Sequence, residues 1–239
     1  MLPSLSRGLR IELQAASVTI TTIERGWRPK AGKQMTISFS GIGNTGDWAP
    51  AVAALRSWMA DQKPAASDVK LILSDRYVRY LLVPWHDHIK TAAEMAALGR
   101  ACFASAFGPV AEGWDVQLEM GDYGAPGIAC AVDRELLQEL RAICSAHTLR
   151  LTVVEPMFMR LFNQRRAQWA DAALIAVVEK GRCVLASIKD GNWHSIRSLA
   201  AKDIASLIDR EILLQGLAPD VPRHVHAIDG AMEVVECAH

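Results

Sequence analysis

Three glycines, Gly41, Gly43 and Gly46, have the G-x-G-x-x-G spacing of a dinucleotide-binding loop, in which a glycine backbone can approach a pyrophosphate at the start of a helix. The preceding strand is predicted at 35–39, where polar and apolar residues alternate, whereas the first strand of a dinucleotide-binding fold is buried on both faces. Asp47 caps the next helix only after the last glycine. The strand pattern and the position of the cap therefore favour a flexible loop, with a dinucleotide-binding enzyme as an alternative.

Two histidines and an aspartate follow one another at His86-Asp87-His88, and Cys102 lies about one helix length further on. A metal site needs a third firm ligand, so these side chains are interpreted as polar residues at the start of a helix. The sequence contains no G-x-S-x-G, H-E-x-x-H or C-x-x-C motif. We expect no metal and no catalytic residue.

The composition is that of a globular protein: 239 residues, 51% hydrophobic, 22% charged, with a formal net charge of zero. A neutral chain with scattered arginines gives no basic field for nucleic acid. Apolar runs such as Leu71 to Leu73 are far shorter than the roughly 20 residues of a membrane-spanning helix. The N-terminus lacks the features of a signal peptide. We expect a cytoplasmic protein without direct membrane insertion.

The C-terminal half has the clearest pattern. From Ala173 to Leu199, three apolar, β-branched runs are separated by Lys180-Gly181 and Asp190-Gly191, which predicts three consecutive antiparallel strands. A helix follows, with Asp203 as its cap and Gly216 at its end. A last strand is predicted at His224 to Ile228.

The N-terminal half repeats this order. Strands are predicted at Leu9 to Leu13, Val18 to Ile23 and 35–39, then a helix, then strands at Val69 to Leu73 and Tyr77 to Val83. An alanine-rich helix with the capping box Thr91-Ala-Ala-Glu94 and a strand pair flanking a glycine-rich turn form an inserted block.

Two βββα units in tandem predict an α/β protein with a duplicated actin-like, or ribonuclease H-like, fold whose C-terminal half is truncated. The expected domains are residues 1–155, with an inserted α+β block at about 84–127, and a shortened second domain at 156–239.

The stretch from Val69 to Trp85, followed by its alanine-rich helix, resembles the PilM-type and GspL-type cytoplasmic proteins of type IV pilus and type II secretion inner-membrane platforms. Ile128 to Asp133 with its helix, Leu151 to Pro156, and the hairpins from Ala173 extend the resemblance over most of the chain. It implies an actin-like (ASKHA) scaffold that is peripheral to the inner membrane. The implied partners are the tail of a membrane-anchored PilN/GspM-like protein and the assembly ATPase.

Actin-like enzymes hold ATP in two hairpin turns that each contain an aspartate and a glycine, because glycine lets backbone N–H groups approach phosphate and the carboxylate places Mg²⁺. Here Glu12 and Gln14 occupy the first turn, where a side chain replaces the glycine. Glu179 and Gly181 keep an acid and a glycine in the second turn, but the family's downstream threonine is missing. We interpret both sites as vestigial and expect no cofactor and no enzymatic activity. An active ATPase or kinase of this fold is the alternative.

A partner-binding surface is predicted around Tyr77, Arg79, Tyr80 and Trp85, because aromatic residues and arginine are enriched in protein anchors. The alternative is that these residues only pack the inserted block.

Overall fold

The computed structural model describes residues 7–24, 30–39, 46–65, 68–169, 171–201 and 203–228. In these ranges the strands and helices are, in chain order, β1 (Arg7–Leu13), β2 (Ser17–Glu24), β3 (Lys30–Ser38), α1 (Ala49–Gln62), β4 (Asp68–Leu73), β5 (Val78–Val83), α2 (Ala92–Phe107), β6 (Trp114–Glu119), β7 (Gly127–Asp133), α3 (Arg134–Ala146), β8 (Arg150–Pro156), α4 (Met157–Arg165), β9 (Ala173–Glu179), β10 (Arg182–Lys189), β11 (Asn192–Ala200), α5 (Ile204–Gln215) and β12 (Arg223–Ala227).

The chain divides into two compact units. The first takes its described residues from Met1–Val78 and Asp133–Arg160, and the second from Arg79–Val132 and Leu161–His239. The inserted block thus groups with C-terminal residues. The predicted division into domains 1–155 and 156–239 stays a prediction.

The first unit contains a five-stranded sheet in the order β3-β2-β1-β4-β8. The first three strands pair antiparallel, whereas β4 and β8 add in parallel. In this register Ile11 lies between Ile20 and Leu71, and all three side chains are buried. The apolar side chains of the central strands therefore form the core of this unit.

The second unit contains a four-stranded sheet in the order β11-β10-β9-β12. Its three consecutive strands are antiparallel and β12 lies parallel to β9, so the pattern of the first sheet is repeated. Asp190 and Gly191 have φ values of 52° and 74°, the positive values that a tight two-residue hairpin turn requires. Ile208 and Ile212 of α5 pack into the apolar core of this sheet.

The inserted block has its own three-stranded sheet, in the order β5-β7-β6. Thr91 and Glu94 form the predicted capping box of α2. A Cβ atom added at Gly99 would lie 3.1 Å from Val116 Cγ1, so the small residues of α2 allow a close approach to β6. Phe103 is fully buried in the core of the block.

The two βββα units confirm the predicted actin-like fold, but two local predictions are wrong. The strand expected from Tyr77 begins at Val78, because Tyr77 N donates to Ser74 O (3.0 Å) and closes a short 3-10 turn. Trp48, not Asp47, is the cap residue of α1, and the Asp47 carboxylate accepts from Ala49 N instead. Within the described ranges, no helix is long and apolar enough to cross a membrane.

Candidate functional site

The first predicted phosphate turn, between β1 and β2, is closed by its own residues. Gln14 N donates to Ser17 O (2.9 Å), and Ser17 Oγ donates to Gln14 Oε1 (2.6 Å). Gln14 O accepts from the hydroxyl of Tyr77 (3.2 Å). The backbone donor at this position and its carbonyl both have partners within the chain.

The acidic residue that precedes this turn is engaged as well. Glu12 Oε1 lies 3.0 Å from Arg10 Nε, two residues back on the same face of β1. The contact is an ion pair without hydrogen-bond geometry. The guanidinium therefore neutralises the carboxylate that would stand where an actin-like enzyme has its first aspartate.

The second turn joins β9 to β10 through Lys180 and Gly181. Gly181 has a φ of 76°, and a Cβ atom added there would meet no atom of the described residues within 4 Å. Its carbonyl accepts from Ala201 N (3.2 Å). Glu179 is buried and lies opposite Arg182 in the ladder. The positive φ of Gly181 therefore explains why this position is a glycine, whereas no close approach of another described residue requires one.

Tyr77 is part of the first unit, where only 5% of it is exposed. The neighbouring Asp75 is also buried, and its two carboxylate oxygens accept from Phe158 N (3.2 and 3.0 Å) at the start of α4. Asp75 therefore caps this helix from 83 positions away in sequence, a role that no local sequence pattern indicates.

Three residues of the predicted partner surface lie on or just after β5, in the second unit. Tyr80 is buried, whereas Arg79 and Trp85 are half-buried. Burial, and then the nearby Arg182 cation, lower the pKa of the Arg79 guanidinium below its usual value. β5 is an edge strand of its sheet.

Trp85 forms an aromatic pair with Tyr123, a residue outside the predicted partner surface. The ring centroids are 5.1 Å apart at an interplanar angle of 60°, and Trp85 Nε1 donates to Asp87 Oδ1 (2.8 Å). Tyr123 is 86% exposed and lies in the glycine-rich turn between β6 and β7. The only hint in the sequence was an aromatic residue within a glycine-rich turn. The sequence could not show that this residue contacts Trp85.

Of the other sequence candidates, Asp87 is the acceptor for Trp85 Nε1. His86 and His88 are exposed. Among the described residues, no group of three or more His, Cys, Asp or Glu side chains could hold a metal ion. Residues 41–45 of the glycine loop lie outside the described residues. The antiparallel β1–β2–β3 arrangement differs from the parallel sheet of a dinucleotide-binding fold.

The duplicated sheet order and the two hairpin turns define the class: the chain has the actin-like fold. Its structure is similar to the cytoplasmic domain of EpsL, an inner-membrane component of the type II secretion system of Vibrio cholerae. That match has a TM-score of 0.63 and 10% identity, over 98% of this chain and 87% of the other.

Two further solved structures are similar. One is a Bacteroides thetaiotaomicron protein with an actin-like ATPase fold and unknown function (TM-score 0.62, 11% identity, covering 95% of this chain and 84% of the other). The other is the PilM–PilN type IV pilus biogenesis complex (TM-score 0.58, 16% identity, covering 88% and 66%). No protein-family model and no curated protein sequence matches the chain.

Proposed function

We propose that the protein is a non-catalytic cytoplasmic scaffold of a type IV pilus or type II secretion inner-membrane assembly platform. It binds the cytoplasmic tail of a membrane-anchored protein of the PilN or GspM type, and the assembly ATPase is its second partner. It is held at the inner membrane through the first of these. The observation that carries the proposal is an actin-like fold whose first phosphate turn is closed by Gln14 and Ser17.

The chemistry of that turn supports the proposed absence of catalysis. Phosphate binding needs free backbone N–H groups and a backbone that the ligand can approach closely. Gln14 N already has an acceptor, its side chain occupies the turn, and Glu12 is paired with Arg10. Glu179 and Gly181 keep the residue types of the second turn, but this turn lacks the threonine that follows it in actin-like enzymes. A protein of this fold that binds no nucleotide can still bind another protein at the edge of a sheet.

The partner surface is proposed at β5 and the residues after it. An extended tail can add to this edge strand through main-chain hydrogen bonds, while side-chain contacts select its sequence. Trp85 and the exposed Tyr123 offer an aromatic anchor, and Arg79 offers a cation. Tyr77 and Tyr80 are buried, so little of either side chain is available to a partner.

The test is a pull-down with the cytoplasmic tail of the PilN- or GspM-type protein of the same organism, fused to an affinity tag. Loss of a true anchor costs about 2 kcal/mol or more, or roughly a thirtyfold loss of affinity, so the double variant Trp85→Ala/Tyr123→Ala should lose capture. Arg79→Ala should weaken it. Val110→Ala is the matched control, because Val110 is an exposed apolar residue of the same block.

Circular dichroism of each variant separates a lost surface from a lost fold. Full capture by the folded double variant would remove this surface from the proposal. The assembly ATPase is tested in the same assay with its own tagged domain, and failure of that arm alone would remove only the second partner.

A further inference from the structure

Two histidines lie on the same face of β12, an edge strand of the second sheet. His224 and His226 are both half-buried. Trp169 meets both rings edge-on, at centroid distances of 4.9 and 6.3 Å and interplanar angles of 76° and 67°. Phe162 stacks on Trp169 (6.0 Å, 12°) and contacts Trp193 of β11 (4.3 Å). The imidazoles thus form one side of an aromatic cluster.

Arg165, at the end of α4, is the cation that lowers the pKa of both histidines. From β9, the residues in register with the two histidines are the apolar Ile175 and Val177. The elements around the cluster therefore contribute a cation, apolar side chains and indole rings, and His224 acts on His226.

On the opposite face of β12, Arg223 forms an ion pair with Asp209 of α5 (3.1 Å). This carboxylate is committed to Arg223 and belongs to the other side of the strand.

The Nε2 atom of His226 finds no acceptor for a proton among the described residues. This atom is buried and has no hydrogen-bond partner in the part of the chain that the structure describes. A protonated imidazole carries N–H on both nitrogens, so protonation would leave a buried charged donor without an acceptor. It would also place a positive charge near Arg165.

We propose that this cluster is an acid-sensitive latch, in which protonation of His224 and His226 opens the contact between β12 and residues 165–169. The closed contact requires neutral imidazoles, because only the neutral rings can remain beside Trp169 and Arg165 without a buried, unpaired charge. The inference concerns the second unit alone and does not depend on the proposed partner.

The direction of the pH dependence follows from the same contacts. Burial first, and then the Arg165 cation, lower the pKa of both histidines in the folded chain below the ordinary value of 6.5, and His224 lowers the pKa of His226 further. The opened state binds protons more readily than the closed state. The latch is therefore fully stable above pH 6.5 and weakens below it. While a closed-state ring stays neutral, each pH unit below 6.5 raises the open population about tenfold per histidine.

Hydrogen exchange read by mass spectrometry tests the latch at about pH 7.5 and about pH 5.5, after correction for the intrinsic pH dependence of exchange. Peptides covering 161–169 and 221–228 should lose protection about tenfold or more at the lower pH, while the peptide covering 7–24 of the other unit keeps its protection. The variant His224→Gln/His226→Gln should remove this difference. His194→Gln is the matched control, because His194 is exposed on β11 of the same sheet.

Arg165→Gln gives a second, independent measurement. Without this cation the pKa values of the histidines rise towards 6.5, so the loss of protection at the lower pH should become smaller. The proposal is overturned if protection in 161–169 and 221–228 is unchanged at the lower pH, if all peptides lose it equally, or if the double glutamine variant stays as acid-sensitive as the wild type.

Discussion

Tyr77 shows how a residue predicted for a binding surface can instead serve the fold. Its ring is buried and its hydroxyl donates to Gln14 O in the first hairpin turn. We predict that Tyr77→Phe lowers the free energy of unfolding by about 1 kcal/mol, the net value of one hydrogen bond, and that Tyr77→Ala lowers it by about 3 kcal/mol or more. Urea denaturation measures both values.

The exposed Tyr123 provides the control for this prediction. Tyr123→Ala should change the free energy of unfolding by no more than about 0.5 kcal/mol, as is usual for surface residues. If Tyr77→Ala proved as mild as Tyr123→Ala, Tyr77 would not be part of the core.

Buried acids are what the sequence could not indicate at this scale. Glu211 is 1% exposed, although the other buried residues of α5 are the apolar Ile208 and Ile212. It accepts from Ser195 Oγ (3.1 Å) and Gln215 Nε2 (3.0 Å) and lies 3.2 Å from Arg197 Nη1. Gln215 lies one helical turn from Glu211, but Ser195 and Arg197 lie on β11, so these two partners become visible only in the folded chain.

At the scale of elements, the start of α4 depends on Asp75. Because both carboxylate oxygens accept from Phe158 N, we predict that Asp75→Ala lowers the free energy of unfolding by about 1–2 kcal/mol. Asp75→Asn keeps one acceptor oxygen and should lose less. Equal losses in urea denaturation for the two variants would argue that the hydrogen bond to α4 is not what Asp75 contributes.

The hairpin between β9 and β10 depends on the positive φ of Gly181. We expect Gly181→Ala to destabilise the protein by about 1 kcal/mol, because the added Cβ has space but the left-handed backbone is strained. Gly113→Ala is the matched control: a Cβ there also has no described atom within 4 Å, and its φ is not in the left-handed region. Thermal unfolding that ranks Gly113→Ala as the more harmful change would contradict this reasoning.

Elements fixed by local chemistry were predictable from the sequence, whereas those fixed by distant partners were not. The Asp190-Gly191 turn, the Asp203 cap and the Gly216 end of α5 depend on a few adjacent residues and agree with the structure. The sheet to which β5 belongs could not be predicted from adjacent residues. β5 comes directly after β4 in the chain but pairs in the sheet of the inserted block. For the same reason the pair of Trp85 with Tyr123 was missed.

For the molecule as a whole, we predict that nucleotide leaves the Tm unchanged. A ligand present at about 100 times its Kd stabilises the folded state by about 2.7 kcal/mol, which would raise the Tm of a chain of this size by roughly 5 to 10 °C. With about 1 mM ATP and Mg²⁺ we expect no such shift. A saturable rise in Tm would favour the active ATPase or kinase and argue against a closed first turn.

The duplicated architecture could be read from the sequence because both halves repeat the same order of strands, turns and helix. Function is less visible, since it depends on what replaced the phosphate turn and on which edge a partner takes. Gln14 and Ser17 support the first part of the account, and the edge position of β5 supports the second.

The most direct measurement is calorimetric titration of the protein with the cytoplasmic tail of its PilN- or GspM-type partner, in the absence and in the presence of ATP and Mg²⁺. If the protein is a scaffold that works without nucleotide, the tail binds stoichiometrically and with the same Kd under both conditions. Binding that requires ATP, or the absence of binding under both conditions, would contradict the account.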